Sequence, residues 1–106
     1  MTVMFCDLVG STAMAQRLDE EDVREILTRY HRLGEERVSA YGGHVAQFLG
    51  DGLLVYFGYP EAHEDDAERA VRAGLDFLLD LESAAQSGGP RLQARIGIHT
   101  DRKSVV

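Results

Sequence analysis

The sequence predicts an α+β sandwich of order βααββαβ, an antiparallel sheet with its helices on one face. Three observations lead there. Two short β-rich runs, His44–Leu49 and Leu53–Phe57, flank Gly50-Asp51-Gly52, and Asp-Gly between such runs is a strong hairpin signal. Long stretches with apolar residues at helical spacing lie on either side of that hairpin. A further β-rich run stands near each end of the chain.

The first strand is Thr2–Leu8, rich in β-formers and largely buried. Ser11 or Thr12 is expected to cap a short helix through Ala13, Met14, Ala15 and Leu18. Asp19 reads as the N-cap of a second helix, with Glu20, Glu21 and Asp22 favourable at its positive end. Its apolar stripe is Val23, Ile26, Leu27, Tyr30, Leu33, Val38 and Tyr41, with a slip around Gly34, and Gly42-Gly43 stops it. After the hairpin, Gly58-Tyr59-Pro60 ends the third strand. His63-Glu64-Asp65-Asp66 begins a helix whose stripe is Ala67, Ala70, Val71, Gly74, Leu75, Leu78 and Leu81. Ser87-Gly88-Gly89-Pro90 is a loop, and Leu92–Thr100 alternates as the fourth strand. Two split β-α-β units sharing a hairpin make a ferredoxin-like sheet of order 4-1-3-2. In that order the end of the first strand meets the start of the third, and Asp7 and Asp51 become neighbours.

Composition narrows the function. A chain of 106 residues with 44% hydrophobic content suits one small core. A net charge of −7 argues against a nucleic-acid partner and means that a polyphosphate would need metal ions to bind here. The single cysteine, Cys6, reads as a small core residue. No apolar run approaches a membrane span, and a cytoplasmic domain is the expectation.

The chemistry concentrates in Phe5-Cys6-Asp7-Leu8-Val9-Gly10-Ser11-Thr12. An acid at the end of a buried strand is costly without a cation, and a glycine turn entering a helix offers free N–H groups to an anion. Two carboxylates at adjacent strand ends repel unless a cation lies between them, and Mg²⁺ prefers such oxygens while leaving room for phosphates. Taken singly, Asp51 is equally explained by turn chemistry, and Gly10-Ser11-Thr12 by an ordinary helix start. His63, Glu64, Asp65 and Asp66 read as acids at a helix dipole rather than a metal cluster. His31 reads as solvated. His99 is expected on a strand that ends far from Asp7.

Together the stretches F-C-D-L-V-G-S-T (Phe5–Thr12), F-L-G-D-G-L-L-V-Y-F-G (Phe48–Gly58), H-E-D-D-A-E-R-A-V-R-A-G-L (His63–Leu75) and R-I-G-I-H-T (Arg95–Thr100) resemble the class III nucleotidyl cyclases, the adenylate and guanylate cyclases. The resemblance implies that Asp7, Leu8 (through its carbonyl) and Asp51 bind two Mg²⁺ or Mn²⁺ ions. It implies that Val9, Gly10, Ser11 and Thr12 hold a triphosphate, and that Gln47 stands where adenylate cyclases usually carry a base-reading lysine. The implied substrate is ATP or GTP, ATP favoured, cyclised with release of pyrophosphate. The implied partner is a second cyclase subunit in a head-to-tail dimer that covers an apolar sheet face. The family's asparagine and arginine that stabilise the transition state have no counterpart here, so residues 1–100 read as the N-terminal part of such a domain and 101–106 as a divergent tail. The resemblance then implies that the 106-residue chain alone is inactive. A non-catalytic relative that dimerises or senses nucleotide is the alternative. A diguanylate cyclase is disfavoured, because Gly50-Asp51-Gly52 runs straight into Leu53-Leu54 without that family's signature.

Overall fold

The computed structural model describes residues 1–100; the expected tail, 101–106, lies outside them. The elements are β1 (Thr2–Leu8), α1 (Ser11–Arg17), α2 (Glu20–Ala40), β2 (His44–Leu49), β3 (Gly52–Phe57), α3 (Asp66–Gln86) and β4 (Ala94–Thr100). The sheet order is β2-β3-β1-β4, with every neighbouring pair antiparallel. This is the expected order read from the other edge.

Alternation along β1 separates two faces. Thr2, Met4, Cys6 and Leu8 are buried under the helices, and Leu53, Val55 and Phe57 of β3 join them. From above, α2 brings Tyr30 and Val38, and α3 brings Ala70, Ala73, Phe77 and Leu81. The Tyr30 and Phe77 rings pack at 5.3 Å. Each large side chain so buried stabilises by about 1.5–3 kcal/mol. An exposed helical pair such as Arg24–Glu20 at 4.0 Å adds only about 0.3–0.5 kcal/mol. The helix–sheet core therefore decides the fold. Gly34 lets α2 come close to the sheet, since a Cβ there would collide with the Leu53 side chain; the slip in the α2 stripe is a point of contact.

Four local expectations change. First, α3 starts at Asp66 rather than His63. Asp66 is buried, accepts the His63 N–H at 2.9 Å and pairs with Arg69, whose guanidinium also donates to the Tyr41 carbonyl at 2.8 Å. A buried acid with a satisfied cation is an internal anchor rather than a dipole decoration. Second, of the expected α3 stripe Ala70, Gly74 and Leu81 do face the core, where Ala73 and Phe77 join them, but Ala67, Val71, Leu75 and Leu78 are exposed, together with Leu79. The core-facing stripe sets Ala70, Ala73 and Gly74 beside Phe77 and Leu81, and those small residues let the helix backbone approach β1 and β4. Third, His31 is half-buried rather than solvated: its ring meets Phe48 edge-on at 5.3 Å, and its Nε2 is buried with no partner among the described residues. The fourth strand begins at Ala94 rather than Leu92, because Leu92 packs under the helices before the ladder starts.

The turn between β2 and β3 also has a different logic. Neither Asp51 nor either flanking glycine adopts a positive φ. Gly52 is required for close approach instead: a Cβ there would stand 2.5 Å from the Cys6 carbonyl oxygen. We expect Gly52→Ala to cost about 1–3 kcal/mol, read as a lower midpoint in urea denaturation. Gly50→Ala is the control, because nothing lies within 4 Å of a Cβ at that position. An equal loss for both variants would remove the close-approach explanation.

Candidate functional site

The face of the sheet away from the helices is a grid of cross-strand rows. Taken in the order β4, β1, β3, β2, one end row is Arg95, Asp7, Gly52 and Leu49. The middle row is Gly97, Phe5, Leu54 and Gln47. The far row is His99, Val3, Tyr56 and His44. His99 thus lies two rows from Asp7, at the other end of β1.

Asp51 sits in the turn beside the end row. Its carbonyl accepts the Leu8 N–H at 3.0 Å, and its Oδ2 accepts the Ser11 hydroxyl at 2.7 Å. Asp7 is held by a different group: the Arg95 guanidinium donates from Nε and Nη2 to its two oxygens at 3.3 and 3.4 Å. The two carboxylates therefore share one end of the sheet, and each is offset by its own partner. The contacts are unequal. The Ser11 bond is short, as charge-assisted O–H···O⁻ bonds are. The Arg95 contact is long, from a side chain 74% exposed, and is readily exchanged.

The charge at this end reaches into the core. Burial and then the adjacent Asp7 push the Cys6 thiol from 9.0 up to about 12, so it stays protonated and inert. Burial, then Cys6, Asp7 and Asp51, hold the Tyr30 phenol above its ordinary range, and its hydroxyl is buried with no partner among the described residues.

Between Asp7 and α1 the chain turns through Gly10, whose φ of 76° is left-handed and suits glycine. Gly10 is the N-cap of α1, with no side chain capping it. Ser11 does not cap the helix as the sequence suggested, because its hydroxyl is committed to Asp51. The Val9 N–H donates to the Gln93 carbonyl at 2.8 Å. Among the described residues, the N–H groups of Gly10, Ser11 and Thr12 donate to no carbonyl, so the available donors of the turn are narrower than Val9–Thr12.

Gln47 reaches the open face through a register shift between Val45 and Gln47. Val45 stands opposite Val55 on the helix side, while Gln47 stands opposite Leu54 on the open side. Strict alternation would place both on one face, so the extra residue re-aims the side chain. The sequence stretch gives no sign of this shift. Arg95 was missed as a site residue for another reason: its place opposite Asp7 appears only once β4 is paired to β1.

Among the described residues, no three His, Cys, Asp or Glu side chains gather as a metal-binding group. A cation at this end would have two carboxylates and backbone oxygen, with its remaining positions open. That hard, incomplete oxygen set fits Mg²⁺ or Mn²⁺, which bind through one or two carboxylates together with water and phosphate. Among the described residues, no helix is long and apolar enough to cross a membrane.

Comparison with known proteins gives a consistent answer. Residues 1–103 match the family model described as the adenylate and guanylate cyclase catalytic domain. Adenylate cyclase 1 of Rhizobium meliloti (strain 1021) is 35% identical over 94% of this chain and 16% of its own length. The crystal structure of the guanylyl cyclase Cya2 superposes with a TM-score of 0.84 at 32% identity, covering 96% of this chain and 58% of that one. The guanylate cyclase domain of RhGC from Catenaria anguillulae, solved in complex with GTP, superposes with a TM-score of 0.83 at 27% identity, covering 92% of this chain and 53% of that one. The chain thus spans a little over half of those solved structures and a much smaller share of the curated relative. Fold, motif order and family match agree, and the chain belongs to the adenylate and guanylate cyclase catalytic domain family.

Proposed function

We propose that the chain forms the metal- and triphosphate-binding part of a nucleotidyl cyclase site. The reaction closes a 3′,5′-cyclic nucleotide: the ribose 3′ oxygen bonds to the α-phosphorus, the bond to pyrophosphate breaks, and the 3′ hydroxyl proton is released. The observation that carries this reading is the meeting of Asp7 and Asp51 at one sheet end, beside a glycine turn with free N–H donors. Asp7, Asp51 and the Leu8 carbonyl would hold two Mg²⁺ or Mn²⁺ ions. When bound, these ions supply charge neutralisation for the phosphates and activation of the attacking oxygen.

The chain's own residues divide the remaining work. The N–H groups of Gly10, Ser11 and Thr12 face phosphate oxygens, with Val9 shaping the turn. Arg95 exchanges its loose contact with Asp7 for the polyphosphate, keeping positive charge at this end in both states. Gln47, exposed in the middle row, presents an amide that can both donate to and accept from a purine edge. ATP is proposed ahead of GTP, in line with the identity to the Rhizobium adenylate cyclase. The second reading, a nucleotide-sensing or dimerising relative without turnover, is favoured by Gln47 in place of the usual lysine.

A partner subunit is proposed to cover the open sheet face. Its centre is apolar, with Phe5 41% exposed beside Leu54, Val3 and Tyr56, and its rim is polar, with His44, Gln47, Arg95 and His99. An apolar patch inside a polar rim marks an interface.

We expect Asp7→Asn and Asp51→Asn each to weaken Mn²⁺ binding at least tenfold in calorimetric titration, because a ligand charge is lost in each. Unchanged affinity in both would remove the metal role. Sedimentation of the wild-type chain should show concentration-dependent dimers that Phe5→Asp abolishes; a wild-type monomer at high concentration counts against the partner surface. For turnover, the 106-residue chain alone is expected to bind metal–nucleotide and give no cyclic product, since losing one transition-state donor costs about 10²–10³ in rate. Mixing it with a family member that has the asparagine and arginine, but lacks both metal aspartates, should give cyclic nucleotide. Binding without product in the mixture favours the sensing relative, and robust product from the chain alone refutes the expected inactivity.

A further inference from the structure

We propose that Ser11 is a positioning residue for the metal site: its hydroxyl fixes the Asp51 carboxylate in the orientation that a cation requires. The inference rests on the metal reading above and extends it to a residue whose side chain would touch neither the ion nor the nucleotide.

Asp51 occupies a two-residue turn and has no strand ladder of its own to hold it. Its backbone is tied by the Leu8 N–H to its carbonyl at 3.0 Å. Its carboxylate is tied by Ser11 Oγ to Oδ2 at 2.7 Å, across 40 positions of sequence. Among the described residues that is the one hydrogen bond its carboxylate accepts, and it leaves Oδ1 without a protein donor. Asp7, the next acid along, stands opposite Gly52 in the ladder and repels Asp51 while no cation lies between them. Without the Ser11 bond, that repulsion and the free rotation of an aspartate in a turn would both carry the carboxylate toward solvent. With it, one oxygen is anchored and the other is left to coordinate.

Ser11 is suited to this because it is the first residue of α1, directly after the left-handed Gly10. The turn that swings the chain into α1 also swings the hydroxyl back over the β2–β3 connection. The bond therefore joins the two loops of the site, and the hydroxyl is already used when a phosphate arrives. Only the Ser11 N–H remains for that ligand.

The loss of a hydrogen-bond partner of a metal-ligating group typically costs 10–100-fold in metal affinity. The experiment is Mn²⁺ binding to the full 106-residue chain, measured by electron paramagnetic resonance and calorimetry with no nucleotide present. Melting temperatures are measured in parallel. Ser11→Ala and Ser11→Gly should each weaken Mn²⁺ at least tenfold, while melting stays near wild type because Ser11 makes no cap. Ser11→Thr, which keeps the hydroxyl, should restore most of the affinity. Wild-type Mn²⁺ affinity in both Ser11→Ala and Ser11→Gly, in a background where Asp51→Asn loses the metal, overturns the positioning role and leaves the metal site standing. Retention of the metal by Asp51→Asn overturns this inference, and retention by Asp7→Asn as well overturns the metal site with it. Equal weakening by Ser11→Thr and Ser11→Ala also overturns it, because the hydroxyl would then not be the group that matters.

Discussion

The pairing of β1 with β3 is the constraint on which the rest depends. It is the contact at the centre of the sheet, and it closes at its charged end on Gly52, with the Cys6 carbonyl oxygen lying where any other residue would need its Cβ. Because the two strands meet that closely, the Leu8 N–H reaches the Asp51 carbonyl and the acids from distant parts of the sequence share one edge. The helices above serve this pairing. Small residues in α3 and Gly34 in α2 let both helices settle onto the strands, and Tyr30, Phe57 and Phe77 fill the space between. The pair of buried Asp66 with half-buried Arg69 fixes the start of α3 and, through the Tyr41 carbonyl, the end of α2.

Much of this was legible in the sequence, for definable reasons. Strand order follows from the order of elements and the rule that split β-α-β units share a hairpin, so the juxtaposition of Asp7 with the turn could be read before any coordinates. The family match follows from motifs in a fixed order. What was not legible depends on pairing at single-residue precision. The partnership of Asp7 with Arg95 requires knowing which residue of β4 stands opposite it. The orientation of Gln47 requires the register shift in β2, which leaves no mark in residue type. Ser11 was misread because serine at a helix start ordinarily caps, and only the path of the chain through Gly10 turns it toward Asp51. The two stripes on α3 defeat periodicity in another way. Both have helical spacing, and the stripe that faces the sheet includes Ala70, Ala73 and Gly74, small residues that contribute little to hydrophobicity.

Electrostatically the site is an acidic edge held in check by contacts of unequal strength. A short hydroxyl bond holds one acid, and a long, solvent-exposed guanidinium contact attends the other. With a net charge of −7, the chain as a whole repels polyanions, so the triphosphate proposed for this edge needs a local source of positive potential. Arg95 and the open N–H groups of the α1 turn provide it. The neutral, buried Cys6 beneath Asp7 keeps a further negative charge away from the same place.

The register shift in β2 has an evolutionary consequence. It sets Gln47 on an edge strand, exposed, facing away from the core, with no hydrogen bond to any described side chain. Exchanges at such a position leave packing untouched and are close to neutral for folding. The residues that fix the acids, by contrast, lie in ladders and tight approaches where few substitutions survive. If Gln47 reads a purine edge, as proposed, a lineage built on this scaffold can drift in what it recognises while its charged edge stays locked, so new preferences can arise one codon at a time without a detour through unfolded intermediates.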